Sequence, residues 1–332
     1  MKKYNENEKI DIVILWVDGN DEKWLKEKNK YLQIKGDSSI NRFRDCENLQ
    51  YLFRGIEKYA PWVNNVFFIT WGHLPKWLNK ANPKLKIIKH EDFIPKEYLP
   101  TFNSNVIEMN LHRIKDLSSK FILFNDDLFI LRKLLPQDFF ENNLPKDMYI
   151  EYLKKNSSRR HNVLRNNYSN LIEKYFNKKE FVKKNYLKIF NFRYGFKNFK
   201  TLKMIRYKEF KDIYTQHLTQ PFIKDTFNEV WNKEYERLDE ACHNKFRADS
   251  DIGYAICRYW QILSGKFVPA RKIGKYYVMD NDNKKLIETI RNRKYKIICI
   301  NDAKTDINFE KAKEEINKEL SEVFKEKSTF EM

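Results

Sequence analysis

The chain has 332 residues, 42% hydrophobic and 15% aromatic, with only 8 glycines and 9 prolines; this excludes a disordered or low-complexity chain and provides enough residues for a substantial core. Lysine and arginine (64) exceed aspartate and glutamate (46), and the net charge of +18 calls for an anionic partner: nucleic acid, an anionic membrane surface or a phosphorylated substrate. Residues 1–9 are polar, no apolar run approaches membrane-spanning length, and Cys46, Cys242, Cys257 and Cys299 lack the paired spacing of a zinc site or disulfide framework, so one compact unit in a reducing cytoplasm is expected.

Residues 10–17 read as a buried strand ending at Asp18-Gly19, and Asp21 is placed to cap a helix over 22–30. Arg42 and Arg44 precede a helix over 47–59, whose apolar face is Leu49, Leu52, Phe53 and Ile56. At that helix mouth the arginines suit phosphate oxygens, or pair with Asp45 or Glu47. Strands follow at 65–70 and 85–89. Asn103, Ser104 and Asn105 then lead into a helix over 106–114, as caps or as donors to a sugar or phosphate. This alternation predicts an α/β fold with a mostly parallel sheet flanked by helices.

The next strand ends abruptly in Asn125-Asp126-Asp127. Buried carboxylates at the carboxyl end of a parallel strand need a partner, and a divalent cation carrying a diphosphate is one. The competing reading is a helix cap followed by a first-turn acid.

Residues 174–211 hold 13 basic residues and two acids, Glu180 and Glu209, interleaved with aromatics. Read in order of preference, this is a solvated basic face with its aromatics in the core, a membrane-surface patch or a single-strand nucleic-acid surface. His217 precedes Pro221, which is expected to start a helix running to about 235. Ser250 is expected to cap a helix reaching about 264. Residues 276–279 and 295–300 read as neighbouring strands, the second ending in Asn301-Asp302, and an amphipathic helix starts near Asn308.

Several strings together resemble the Stealth family of capsular and surface polysaccharide sugar-1-phosphate transferases, related to the catalytic core of the lysosomal-enzyme GlcNAc-1-phosphotransferase. They are DIVILWVDG at 11–19, Arg44-Asp45, YAPWV at 59–63, PKWLN at 75–79, LPTFNS at 99–104, Ile107-Glu108 and FNDD at 124–127. QHLTQP at 216–221, KFRADSDI at 245–252 and YKIICIND at 295–302 continue the series. The match is dense over 10–135 and thinnest over 154–214; the stretch 70–74 is a looser match, and Asn105 stands where relatives often carry His.

The resemblance implies a single catalytic domain, residues 1–332: an α/β core at 10–135 with a mostly parallel, nucleotide-sugar-binding sheet of Rossmann-like, GT-A-like type, a largely helical basic insertion at 136–215, and a second half at 216–332 that completes the site. It implies transfer of a hexose-1-phosphate or N-acetylhexosamine-1-phosphate from a UDP-sugar to a glycan hydroxyl, the acceptor free or lipid-linked, with release of UMP. Mg²⁺ or Mn²⁺ would be held by Asp126, Asp127 and Asp302, with His217 as general base and Arg247 stabilising charge on phosphorus. Asp18, Arg44, Asn103, Ser104 and Asn301 are expected donor contacts. No nucleic-acid partner is expected, and peripheral contact with an anionic inner membrane face is. The competing classes are a metal-dependent glycosyltransferase releasing UDP and a non-catalytic basic binding module.

Overall fold

The computed structural model describes residues 9–33, 43–154, 158–302 and 306–332; Arg42 and residues 1–8 of the polar start lie outside them. The α/β expectation holds. The central sheet has β1 (Ile10–Leu15) in its middle, β2 (Val66–Thr70) then β3 (Leu85–Lys89) on one side, and β4 (Lys120–Asn125) then strand Gln220–Ile223 on the other. The first four run parallel, while Gln220–Ile223 is antiparallel to β4. Helices and loops cover both faces, which is why these strands read as unbroken apolar runs. Val13, Phe121 and Leu123 enter one core, whereas Ile12, Ile14, Ile122 and Phe124 enter the other.

The register aligns the strand ends. Leu15 of β1 pairs with both Ile69 and Asn125, so the carboxyl ends of β1, β2 and β4 finish level. Beyond β4 the chain turns at Asp126-Asp127 and continues as β5 (Leu128–Ile130) in a second sheet. The helix-cap alternative for the two aspartates is therefore wrong: a strand follows them. In that second sheet β5 lies antiparallel to Ile297–Asn301, whose neighbour on the other side is Gly274–Val278, as the sequence predicts; that pair runs parallel. The second sheet thus joins the residues after β4 to strands more than 140 positions further along the chain.

Two helix starts differ from expectation. Pro221 does not open a helix; it sits in the edge strand, where a missing N–H is tolerated, and the helix begins at Lys224. Ser250 caps nothing: its hydroxyl accepts from Asn244 and the helix begins at Ala255. The insertion is helical as expected (Arg159–Glu173, Lys178–Ile189, Asn198–Met204), and the strand pair Glu151–Tyr152 with Asp212–Ile213 clasps its base. Buried Lys178 ties it down, with Nζ 2.7 Å from Glu151 Oε1 and 2.9 Å from the carbonyls of Met204 and Glu209. Among the described residues no helix is long and apolar enough to cross a membrane.

Candidate active site

A cleft of about 500 Å³ opens at the aligned strand ends. Its lining includes Arg44, Ser104, Asp126, Asp127, His217, Arg247, Asn301 and Asp302, drawn from parts of the chain more than 250 residues apart. Strand register explains the convergence. Gln220 pairs with Leu123 in antiparallel sense, so that register, continued beyond the strand, carries His217 to the Asp126-Asp127 turn. From the other side Cys299 pairs with Leu128, and the Ile300 N–H donates to the Asp127 carbonyl at 2.8 Å. Two strands thus deliver their side chains to one turn.

Asp127 Oδ2 is the centre of the arrangement. It lies 3.1 Å from His217 Nε2 and accepts from Cys299 Sγ and Asn301 Nδ2, each at 3.2 Å. Burial opposes ionisation of Asp127, but the His217 charge and these donors outweigh it, and its carboxyl is held below the usual range. Burial likewise opposes a charged His217, yet Asp127 prevails and raises its affinity for a proton. Asp126 behaves oppositely. Burial first, then the neighbouring charges of Asp127 and Asp45, push its carboxyl up to about 8.

The two aspartates fit a divalent cation. Asp127 Oδ1 is buried and accepts no hydrogen bond, which leaves one oxygen available as a ligand. Burial and the neighbouring carboxylates, only partly offset by His217, favour the protonated form of Asp126, and a cation bound there would displace that proton. Among the described residues, the three-residue grouping with ligand atoms within 4.8 Å of one another is Asp127, His217 and Cys299. Asp302, expected as a ligand, shares the cleft but has both oxygens engaged by Arg44, at 2.7 and 2.6 Å.

Arg247 projects from the loop before the helix Ala255–Leu263, and its Nη2 donates to Ser104 Oγ at 2.7 Å. Two expected donor contacts are placed elsewhere. Asn103 is fully buried and caps the helix Ser104–Met109, its amide donating to Asp251 and to the Phe246 carbonyl. Asp18 lies outside the cleft lining, and its carboxylate accepts from the Asn20 N–H, which is turn chemistry.

Three residues at the site carry no role in the sequence reading: Asn125 and Glu108 line the cleft, and buried Cys299 contacts Asp127 without lining it. Asn125 Nδ2 is 3.2 Å from His217 Nε2. Glu108 is buried in the cleft wall, and burial, partly offset by Arg247 and His217, pushes its carboxyl up to about 7. The resemblance at Ile107-Glu108 was the one available signal for Glu108; Cys299, inside an apolar strand, gives none.

The family model of Stealth protein conserved region 1 matches residues 8–36 and that of conserved region 2 matches residues 42–148. The chain is 42% identical over 331 residues to capsular polysaccharide phosphotransferase WcwK of Streptococcus pneumoniae, covering 98% of each chain. It is 36% identical over 325 residues to exopolysaccharide phosphotransferase cps2G of Lactiplantibacillus plantarum, covering 97% of this chain and 96% of the relative. Among solved structures, galactosyltransferase LgtC in complex with donor and acceptor sugar analogs aligns over 96% of both chains, at 9% identity and a TM-score of 0.41.

Proposed function

The chain belongs to the Stealth family, and on that premise we propose that it is a sugar-1-phosphate transferase of capsular or other surface polysaccharide synthesis. It moves a hexose-1-phosphate or N-acetylhexosamine-1-phosphate from a UDP-sugar to a hydroxyl of a glycan, free or lipid-linked, in the cytoplasm. The observation that supports this most is the contact of His217 with Asp127, 3.1 Å apart, in the same cleft as Arg247 and the Asp126 carboxyl.

The acceptor oxygen attacks the phosphorus that carries the sugar. A new P–O bond forms, the bond from that phosphorus to the oxygen of UMP breaks, and UMP leaves with the electron pair. His217 takes the acceptor proton. With Nε2–H donated to Asp127 Oδ2, the lone pair on Nδ1 is the basic atom, and the carboxylate stabilises the imidazolium that forms. Ser104 orients Arg247, whose planar guanidinium suits the oxygens of the phosphoryl group in flight. Asp126 and Asp127 would hold Mg²⁺ or Mn²⁺, which supplies positive charge to the diphosphate when bound.

The test is the nucleotide released. With a panel of UDP-sugars and oligosaccharide or lipid-linked acceptors, UMP is expected; UDP would make the enzyme a glycosyltransferase instead.

A further inference from the structure

The insertion carries a surface that the chemistry in the cleft does not use, and its aromatics are not all in the core as the sequence suggests: Phe181, Tyr194 and Phe210 are buried, but Tyr186, Phe192, Phe196 and Phe199 are exposed. Residues 181–208 contain nine basic residues, seven of them lysine, and no acid. Among the described residues, six of the twelve exposed large hydrophobic side chains fall within this stretch: Tyr186, Leu187, Phe192, Phe196, Phe199 and Leu202. Leu187 is 83% exposed, Phe192 78% and Phe196 88%. The same segments are firmly seated from behind. Ile189 and Tyr194 are buried, and Thr201, also buried, accepts the Glu151 N–H through Oγ1 at 3.1 Å. Within the helix Asn198–Met204, Thr201 therefore faces inward while Phe199 and Leu202, three residues apart, face solvent. Phe196 and Phe199 stack on each other at 6.5 Å. Lys183, Lys184, Arg193, Lys200 and Lys203 are exposed among these apolar side chains.

We propose that this face docks on an anionic lipid bilayer, with the phenylalanines and leucines entering the headgroup boundary and the lysines meeting lipid phosphates. A folded surface exposing this much apolar area calls for an occupant. Charge complementarity makes that occupant anionic, and the mixture of aliphatic with aromatic side chains suits an acyl boundary. A nucleic-acid surface would favour arginine and aromatic stacking without exposed leucines. The proposal goes beyond the transfer reaction, and its test reads binding rather than turnover, so either idea can fail alone.

The experiment is flotation of the full chain with phosphatidylglycerol–phosphatidylcholine vesicles and with phosphatidylcholine vesicles alone. Binding to the anionic vesicles, weakened by salt and absent from the neutral ones, is expected. Phe192→Ser, Phe196→Ser and Phe199→Ser combined, which leave the charge unchanged, should weaken binding at least about tenfold with thermal unfolding unaltered. Lys183→Glu with Lys200→Glu and Lys203→Glu should do the same by reversing charge. No flotation of the wild-type chain, equal flotation of either triple variant, or displacement from vesicles by a tighter-binding single-stranded oligonucleotide would each overturn the proposal.

Discussion

Arg44 and Asp302, 258 positions apart in sequence, meet in a bidentate ion pair across the cleft: Nε to Oδ2 is 2.7 Å and Nη2 to Oδ1 is 2.6 Å. The Arg44 guanidinium also lies 4.1 Å from the centre of the Phe309 ring. A fork-to-fork pair of this kind is strong and fixes orientation as well as charge. It joins the arginine expected to meet the donor to the aspartate expected to meet the cation.

Breaking the pair separates these two roles. Asp302→Asn is expected to raise the Mn²⁺ concentration needed for half-maximal activity at least about tenfold, whereas Arg44→Ala raises the KM for the donor without that shift. Metal titrations at saturating donor distinguish them. An unchanged metal requirement in Asp302→Asn would reduce Asp302 to a partner of Arg44.

His217→Ala and Arg247→Ala are each expected to cost at least about a hundredfold in kcat, the scale of a lost general base or a lost charge stabiliser. Circular dichroism and thermal unfolding should match the wild type. Wild-type turnover in either variant removes that residue from the mechanism.

Asp127 raises the proton affinity of His217 despite burial, so a titration midpoint above the ordinary histidine value near 6.5 is expected. Asp127→Asn removes the charge, and the midpoint should fall. Imidazole NMR of His217 against pH reads this without requiring activity; a midpoint unmoved by the substitution would contradict the pairing.

Much of the site was legible because it rests on local pattern. The run ending in Asn125-Asp126-Asp127 announces a buried strand with charge at its end, and the strand over 295–300 announces the same near Asn301-Asp302. That these two ends meet depends on antiparallel pairing of β5 with Ile297–Asn301, which no short-range signal encodes. Pro221 misled because a proline ahead of a polar-apolar run suits the first turn of a helix as well as it suits an edge strand. Asn103 and Ser104 illustrate the ambiguity of caps: the first is a buried structural amide, and the second, one residue on, touches Arg247.

Glu108 gives a stability signature. Its folded carboxyl titrates at about 7 rather than near 4.3, so stability is complete below about 4.3 and declines as pH rises through about 7. Glu108→Gln removes that decline. Urea unfolding should show the variant gaining on the wild type by about 1–3 kcal/mol between pH 5 and pH 8.5; parallel pH profiles would contradict the buried placement.

Asp147 holds the opposite sign. Burial opposes its ionisation, but Arg258 (2.7 and 2.9 Å) and Lys272 (3.2 Å) outweigh it and hold the carboxyl well below the usual range. The stability it contributes is present above about 3.9 and lost as pH falls toward the folded value. Asp147→Asn strands a buried guanidinium and should cost about 3–5 kcal/mol at neutral pH by denaturant unfolding. A loss under 1 kcal/mol would show that the cluster is hydrated.

Transfer of phosphorus is the claim on which the account stands. A UDP-sugar carrying radioactive phosphorus only in the phosphate next to the sugar follows that atom directly. Incorporation of label into the glycan, with unlabelled UMP released, is the predicted result; label retained in UDP with an unlabelled glycan would contradict the account.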